Sequence, residues 1–397
     1  MKPQTRNLLW LCLLLCLSLG ALSYLLNTLS ISYNEAKEFF NPRSFGGFAG
    51  YFSTQIFGQN DWGLRVPFLL LHLLNAFLMF FFAQGFLKRP SDALMCAFLF
   101  LLIPGVNAAA LLVSNSGIVI ALSLILCIWV QKRSKIPYLL LLVMAFADES
   151  FALVFVALIF YGMERKQTFL ILVSLGLFAL NMYCFGLEVG GHPSGYFLDS
   201  NGHLLLIFSP LLFLYFLYTL YRYFNTNKKP LAWYITSTTL GFIWLLSMRQ
   251  RVQTESFAPL LILALPLMVN LYFSGLRVRL PQFRARYTIP FLATFLILLS
   301  CNGILFLSKP LFVLFPQANE HFAFRHFIAK ELALSLKAKG IDKVQTTERL
   351  QERLRFYGIS KGTPLLTSNP LPNASKIPIL YYDKPIMAFY LQDSKLH

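Results

Sequence analysis

The sequence predicts an all-α polytopic membrane protein with a small external α/β appendage at its carboxyl end. Hydrophobic residues make up 57% of the chain and charged residues only 13%, and the mean hydropathy is +0.61. Such a composition does not suit a water-soluble globule. The apolar residues form long runs without strict alternation. These runs indicate helices, because helices and closed barrels alone satisfy the backbone within lipid.

About eleven apolar runs approach the roughly 20 residues that a helix needs to cross the hydrocarbon core. They span residues 8–26, 66–87, 93–113, 117–130, 136–147, 151–163, 168–187, 203–223, 231–248, 256–274 and 288–308. The fourth to sixth runs are short. They therefore suit tilted or re-entrant segments as well as full crossings, and the two runs around Asp148 could form one kinked span.

The basic residues between the runs predict the orientation of the chain, because short cytoplasmic loops retain lysine and arginine. If every run crosses, these groups fall on one side, which we assign to the cytoplasm: Lys2 and Arg6, Lys88 and Arg89, residues 132–135, Arg165 and Lys166, Lys228 and Lys229, and residues 277–286. The amino terminus is then cytoplasmic. The loops 27–65 and 188–202, the corner 148–150 and the tail after Lys309 lie outside. We expect a multi-pass protein of a bacterial inner membrane.

Charge and motifs argue against several other classes of protein. The net charge of +17 lies largely in short loops, so membrane topology explains it better than nucleic-acid binding does. The six cysteines lie in or beside apolar runs without paired spacing, which argues against a disulfide framework or a metal site. The sequence has no zinc spacing, glycine-rich phosphate loop or Ser/His/Asp signature. We therefore expect neither a bound metal nor a cofactor.

The first external loop, residues 27–65, is expected to carry catalytic residues. Its aromatic segments 36–40 and 45–57 are moderately amphipathic, and such segments tend to lie along the membrane interface as helices. The acidic stretch Ser32-Tyr33-Asn34-Glu35-Ala36 follows directly after the first apolar run. A carboxylate at this point stands where lipid meets water, so Glu35 is positioned to act on a substrate held at that interface.

The tail also departs from the membrane pattern. It contains helical patterns at 322–339 and 346–357 and strand-like runs at 364–367 and 377–382, which together predict the α/β appendage. We therefore divide the chain into a transmembrane domain, residues 1–315, and an external appendage, residues 316–397.

Several features, taken in order along the chain, resemble one known superfamily. A first span is followed by Tyr33-Asn34-Glu35-Ala36, and Leu64-Arg65-Val66-Pro67 opens the second span. The fifth crossing is followed by the external turn Asp148-Glu149-Ser150. An external stretch, Met248-Arg249-Gln250-Arg251, precedes an apolar run that carries two prolines. Together these features resemble the GT-C membrane glycosyltransferases that use polyprenyl-phosphate sugars, such as protein O-mannosyltransferases and aminoarabinose transferases of lipid A.

The resemblance implies an integral membrane enzyme that transfers a sugar from a polyprenyl-phosphate donor to an extracytoplasmic glycan or lipid acceptor. In that family an acidic residue of the first loop acts as general base on the acceptor, a role that falls here to Glu35. The departing lipid phosphate needs a fixed cation, and arginine offers donors that match phosphate oxygens. Arg249, Arg251 and Arg65, at the external mouths of their spans, are the candidates for that role.

The chain departs from the family pattern at two positions. The family usually carries an Asp-Glu pair in the first loop, whereas this chain has Asn34 before Glu35. It also has Asn115 where another acidic residue is expected after the third span. We assign Asn34, Asp148 and Glu149 to the lining of the external cavity, where they could contact the acceptor. Either Glu35 alone carries the acid/base role, or the chemistry has shifted, or the activity has been lost.

Two other functions remain alternatives to transfer. One alternative is a transporter or flippase for a lipid-linked intermediate, which would need ionisable residues or broken helices near the midplane in two matching halves. The sequence contains no internal repeat that would form such halves. A catalytically inactive scaffold is compatible with Asn34 and Asn115.

Each candidate residue also has a simpler structural interpretation. Glu35 could be a solvated loop residue just outside a span. Arg249 and Arg251 could extend to lipid headgroups, the commoner role for arginine at a helix end. The pair Asp148-Glu149 could form a polar turn between two short helices.

Overall fold

The protein, seen in a computed structural model, is built mainly from helices. The structure describes residues 3–186, 195–227, 229–314, 320–370, 372, 374–382 and 384–392. Its α-helices are α1 Pro3–Thr28, α2 Tyr33–Phe40, α3 Phe45–Phe57, α4 Asp61–Gln84, α5 Pro90–Leu102, α6 Pro104–Leu111, α7 Ser116–Arg133, α8 Tyr138–Ala147, α9 Phe151–Glu164, α10 Thr168–Phe185, α11 Phe197–Phe208, α12 Pro210–Phe224, α13 Leu231–Ser247, α14 Thr254–Leu261, α15 Leu265–Val278, α16 Pro281–Phe306, α17 Ser308–Leu311, α18 Ala329–Ala338 and α19 Glu348–Phe356. Its strands are β1 Lys343–Gln345, β2 Ser360–Thr367, β3 Ser375–Tyr381 and β4 Lys384–Gln392.

The predicted apolar runs all fall on helices of the described chain, but not every helix is long enough to span. Among the described residues, six segments are long and apolar enough to cross a membrane: α1, α4, α7, α10, α16 and the continuous stretch Thr254–Val278. Two bent pairs, α5 with α6 and α11 with α12, raise the number to eight if each is one span. Helices α8, α9 and α13 are shorter. The helical multi-pass class is confirmed, whereas about eleven crossings remain a prediction.

Both bends occur where a proline begins the second helix. The angle between α5 and α6, at Pro104, is 60°, and the angle between α11 and α12, at Pro210, is 106°. Proline has no amide hydrogen for the helix and disfavours the helical conformation in the residue before it. Ser209 accordingly has a φ of 75°, outside the helical region. Prolines therefore break two runs that the sequence predicted as single spans.

The chain forms two compact units, and the first comprises Met1–Gly20, Phe68–Ala110 and Ser114–Asn302. Its core is a cluster of buried apolar side chains in which α9 contributes Phe151 and Phe155. Buried amides link its helices: the Asn107 side chain donates to Asn302 Oδ1 at 2.6 Å. Such interhelical hydrogen bonds stabilise helix packing where lipid offers no polar partner.

The second unit comprises Ala21–Pro67, Leu111–Val113 and Gly303–His397. It therefore groups the first loop with the tail, and the boundary at 315/316 stays a prediction from sequence. Within it α2 packs on α19, with the Phe39 and Phe356 rings 5.1 Å apart in an edge-to-face arrangement.

The tail contains the predicted small sheet. The strand order is β1-β2-β4-β3, with β1 parallel to β2 and the other two pairs antiparallel. Helices α18 and α19 and strands β2 and β3 fall on the predicted patterns, so the α/β character of the tail is confirmed. Strands β1 and β4 were not predicted. β1 is only three residues long, and β4 lacks the strict alternation that marks a half-buried strand.

Candidate functional site

A capping box at the start of α2 fixes the position of Glu35. The amide of Ser32 donates to Glu35 Oε2 at 2.8 Å, and the amide of Glu35 donates to Ser32 Oγ at 3.4 Å. This reciprocal pair satisfies two amides that a helix start otherwise leaves unpaired. The side chain of Glu35 is consequently turned inward, and the residue is only 3% exposed. The interpretation of Glu35 as a solvated loop residue is wrong.

The predicted residues Glu35 and Arg65 lie together in the second unit. Arg65 Nη2 is 3.2 Å from Glu35 Oε2 and 3.4 Å from Oε1, and it also donates to the carbonyl of Ser30 at 3.2 Å. The amide of Val113 donates to Glu35 Oε1 at 3.1 Å. Arg65 is completely buried, so the pair is shielded from solvent screening.

Asp61, one helical turn before Arg65, extends the charged cluster. Its Oδ1 lies 3.6 Å from Arg65 Nη1 and accepts a hydrogen bond from the hydroxyl of Tyr357 at 2.8 Å. Its Oδ2 lies 3.0 Å from Lys330 Nζ. Glu35 also has a neighbour from the tail, because His326 Nδ1 lies 3.7 Å from Glu35 Oε2. The first loop and the tail thus supply charges to one buried cluster, which we call the Glu35 cluster.

Burial and charge within the Glu35 cluster shift the pKa values of Glu35 and Tyr357. Burial alone would raise the pKa of Glu35, but the charge of Arg65, with His326 and the Ser32 amide, holds that pKa well below its ordinary range. Burial, followed by the adjacent Asp61 carboxylate, raises the pKa of Tyr357 well above its ordinary value. Glu35 is therefore ionised at neutral pH, and Tyr357 remains a hydrogen-bond donor.

A buried arginine of the tail holds the loop segment that precedes α2. Arg353 Nε donates to the carbonyl of Ile31 at 2.7 Å, and Nη2 donates to Ser30 Oγ at 3.1 Å and to the carbonyl of Phe327 at 2.6 Å. The segment leading to Glu35 is therefore anchored by side-chain contacts as well as by the capping box.

Asn34 and Glu35 point in different directions. Asn34 is exposed, whereas Glu35 is buried. Neighbouring residues of a helix project about 100° apart, and of these two only Glu35 faces the interior. The amide at position 34 is therefore outside the Glu35 cluster.

The aromatic helix α3 presents its large side chains outward. Its buried residues are small, namely Gly46, Gly47, Gly50, Ser53 and Thr54, and its exposed ones include Phe45, Phe48, Phe52, Ile56 and Phe57. An exposed aromatic face suits the membrane interface predicted for this helix, and that location remains a prediction.

In the first unit, Asp148 and Asn115 lie together. Asn115 Nδ2 donates to Asp148 Oδ2 at 2.8 Å, and the amide and hydroxyl of Ser150 donate to Asp148 Oδ1 at 3.0 and 2.7 Å. Asn181 Nδ2 donates to the carbonyl of Asp148 at 3.0 Å. At position 115, where the resemblance implies an acidic residue, the chain therefore has Asn115, whose side-chain amide donates to the carboxylate of Asp148.

Glu149 lines an apolar cavity of about 370 Å³ in the first unit, together with Phe160, Phe178 and Phe257. The external acceptor cavity predicted for Glu149 stays a prediction.

Arg249 and Arg251 lie in the turn between α13 and α14, and both are exposed. They belong to the first unit, whereas Glu35 and Arg65 belong to the second. Within the ranges that the structure describes, no group of three or more His, Cys, Asp or Glu side chains is arranged to hold a metal ion. Independence from metal remains a prediction.

Sequence reasoning missed the tail residues of the Glu35 cluster, His326, Lys330 and Tyr357, because no local pattern links them to the loop. One signal was present. Ser32-x-x-Glu35 is the sequence signature of a capping box, and it indicates a glutamate whose side chain folds back on its own helix.

Comparison with known proteins places the fold. No protein-family model and no curated protein sequence matches the chain. Solved structures do match, and two of them are of ArnT from Cupriavidus metallidurans: the apo state, with a TM-score of 0.51, and the complex with undecaprenyl phosphate, with a TM-score of 0.53. Each is 13% identical to this chain, of which 88% is covered, and the matches cover 74% and 75% of the ArnT chain. The protein therefore has the fold of ArnT, and the resemblance expected from its sequence is confirmed at the level of fold.

Proposed function

We propose that the protein transfers a sugar from a polyprenyl-phosphate donor to an extracytoplasmic glycan or lipid acceptor. The observation that carries the proposal is the ArnT fold over 88% of the chain. One of the matching ArnT structures is bound to undecaprenyl phosphate, a lipid phosphate of the class that the proposal requires. We assign the protein to a bacterial inner membrane, with a cytoplasmic amino terminus and an external tail.

Glu35 is the proposed general base. As the acceptor attacks the anomeric carbon it loses a proton, and a carboxylate within hydrogen-bond reach accelerates such steps by about 10² to 10⁴. The lowered pKa keeps Glu35 ionised and able to accept the proton, but it also makes the carboxylate a weaker base. An acceptor must displace a neighbour to reach it. We assign that neighbour as His326, which lies 3.7 Å away and is partly exposed.

Arg65 is the proposed cation for the departing phosphate. Within the described chain its Nη2 donates to Glu35 and Ser30, while Nε and Nη1 have no hydrogen-bond acceptor. The guanidinium can therefore offer two donors to phosphate oxygens and still hold Glu35. Because Arg65 is buried, binding requires local opening of the Glu35 cluster. Arg249 and Arg251, which are exposed, remain alternatives for the same role.

Asp148 is proposed to take the place of the acid expected at position 115. It is held by hydrogen bonds from Asn115 and Ser150, so its orientation is fixed, and Glu149 beside it borders a cavity. In this proposal the two carboxylates are acceptor contacts of the first unit. Asn34, on the exposed side of α2, is proposed separately as an acceptor contact of the second unit.

Transfer of a labelled sugar from a polyprenyl-linked donor, measured in membranes, tests the proposal. Glu35→Gln removes the base, and Asp61→Asn is the matched control because Asp61 is equally buried and also pairs with Arg65. We expect Glu35→Gln to lower transfer per folded molecule by about 100-fold or more. Asp61→Asn should leave transfer per folded molecule near the wild-type value, although the folded fraction falls. Equal losses per folded molecule would make Glu35 structural.

One set of contacts favours a second candidate, an inactive scaffold on the same fold. Both oxygens of Glu35 already accept hydrogen bonds from Ser32, Arg65 and Val113, and Asn34 replaces the expected aspartate. This alternative predicts that wild-type membranes transfer no sugar from any polyprenyl-linked donor.

A further inference from the structure

The first unit contains a large cavity that has no role in the proposed transfer reaction. A cavity of about 790 Å³ lies among α12, α15 and α16. Apolar and aromatic side chains line its interior, among them Leu212, Met268, Tyr272 and Phe291. This volume lies within the usual range of small-molecule sites, and most of the lining is apolar, as in sites for lipids and other apolar ligands.

Part of the lining of the cavity is exposed on the surface of α12. Leu214 and Tyr218, which line it, are 57% and 49% exposed, and both lie on α12. In a membrane, side chains exposed on an apolar helix such as α12 face lipid. A lipid chain could therefore enter from the bilayer without crossing water.

Two arginines near the connection between α15 and α16 line the same cavity. Arg279 lies between the two helices and Arg286 in the second turn of α16, and both are exposed. The Arg279 guanidinium lies over the ring of Tyr287, with its carbon 3.9 Å from the ring centroid. Neither arginine has a carboxylate within 4.0 Å in the described chain, whereas the neighbouring Arg277 pairs with Asp92.

The geometry points to a binding site for one anionic glycerophospholipid. The headgroup phosphate lies between Arg279 and Arg286, and an acyl chain occupies the apolar cavity beneath. Basic pockets between membrane helices on the cytoplasmic side recognise anionic headgroups in this way. The basic stretch 277–286 is predicted to be cytoplasmic from the distribution of lysine and arginine. The assigned ligand is therefore a lipid of the inner leaflet and not the external polyprenyl-linked donor.

Arginine variants with a matched control test the site. The double variant Arg279→Gln/Arg286→Gln removes both headgroup contacts. Arg284→Gln removes one positive charge from the same segment, together with a hydrogen bond from Arg284 to the carbonyl of Arg279, and Arg284 does not line the cavity. The purified full chain is delipidated in mild detergent and titrated with dioleoylphosphatidylglycerol, with dioleoylphosphatidylcholine or undecaprenyl phosphate in parallel, and bound lipids are counted by native mass spectrometry.

We expect wild type and Arg284→Gln to retain one phosphatidylglycerol, and the double variant to need at least tenfold more lipid for the same occupancy. Thr294→Trp, which fills the cavity without changing charge, should weaken binding too, and its unfolding temperature without lipid shows whether it is folded. The proposal is overturned if phosphatidylcholine binds as tightly as phosphatidylglycerol, or if the double variant loses undecaprenyl phosphate to the same extent as it loses phosphatidylglycerol. It is also overturned if Arg284→Gln and the double variant lose the lipid equally.

Discussion

The guanidinium of Arg65 lies 3.2 Å from the carboxylate of Glu35, and both side chains are buried. A buried ion pair contributes little net stability over apolar residues, because removing both charges from water is costly. Loss of one partner is strongly destabilising, because it leaves the other charge buried and unpaired. Any loss of activity in a Glu35 variant must therefore be separated from a loss of folded protein.

Replacing Arg65 with Gln should strongly destabilise the second unit. Glu35 and Asp61 would then lose the cation they share, and loss of one partner of a buried pair costs about 3–5 kcal/mol. The free energy of unfolding, measured with denaturant in detergent micelles, checks this. The control is Arg355→Gln, whose exposed pair with Glu352 should contribute about 1 kcal/mol or less. Equal effects of the two variants would contradict the buried pair.

The stability that Glu35 contributes should depend on pH only in acid. Because its pKa in the folded protein is below the ordinary value of 4.5, the contribution is complete above that value and falls as the pH drops below it. The difference in unfolding temperature between wild type and Glu35→Gln should therefore not shrink from pH 7 to about 5, and it should shrink below pH 4.5. A difference that already shrinks between pH 7 and 5 would indicate a raised pKa.

Exchange of Asn115 and Asp148 tests the contact between them. Asn115→Asp alone places two carboxylates where the structure has a hydrogen bond of 2.8 Å, so it should destabilise the protein. In Asn115→Asp/Asp148→Asn the donor and acceptor are restored in reverse order. A double-mutant cycle of unfolding free energies should give a favourable coupling of about 0.5–3 kcal/mol. Additive effects of the two changes would argue against the contact.

Asn34→Asp restores the acidic pair that the family resemblance expects. Asn34 is exposed in the first turn of α2, so the change should alter the free energy of unfolding by less than about 0.5–1 kcal/mol, with the sign favoured by the helix dipole. Sugar transfer per folded molecule should rise, because a second carboxylate would then border the acceptor. An unchanged rate would indicate that position 34 has no part in the reaction.

The helical membrane class, the position of the apolar runs and the nature of the tail could be predicted because each depends on local composition and periodicity. The two bends could not be placed, since Pro104 and Pro210 lie inside apolar runs whose hydropathy continues through them. The grouping of the first loop with the tail depends on contacts such as Arg353 with Ile31, which are more than 300 residues apart in sequence.

For the candidate site, sequence reasoning identified Glu35 and Arg65 but not their direct pairing. Thirty residues separate them, and only the packing of the second unit shows that they meet in a buried cluster. The environment of Glu35 differs from the open interfacial carboxylate that its sequence position suggested. His326 and Lys330 entered the cluster from the tail, where nothing in the local sequence marks them.

Transfer of radiolabelled sugar from a polyprenyl-phosphate donor by the purified full chain in proteoliposomes tests directly whether Glu35 acts as the base of a sugar transferase. We expect a glycosylated acceptor with wild type, a loss of about 100-fold or more per folded molecule with Glu35→Gln, and near wild-type transfer per folded molecule with Asp61→Asn. Transfer by Glu35→Gln at the wild-type rate, or no transfer by wild type from any polyprenyl-linked donor tested, would contradict this expectation.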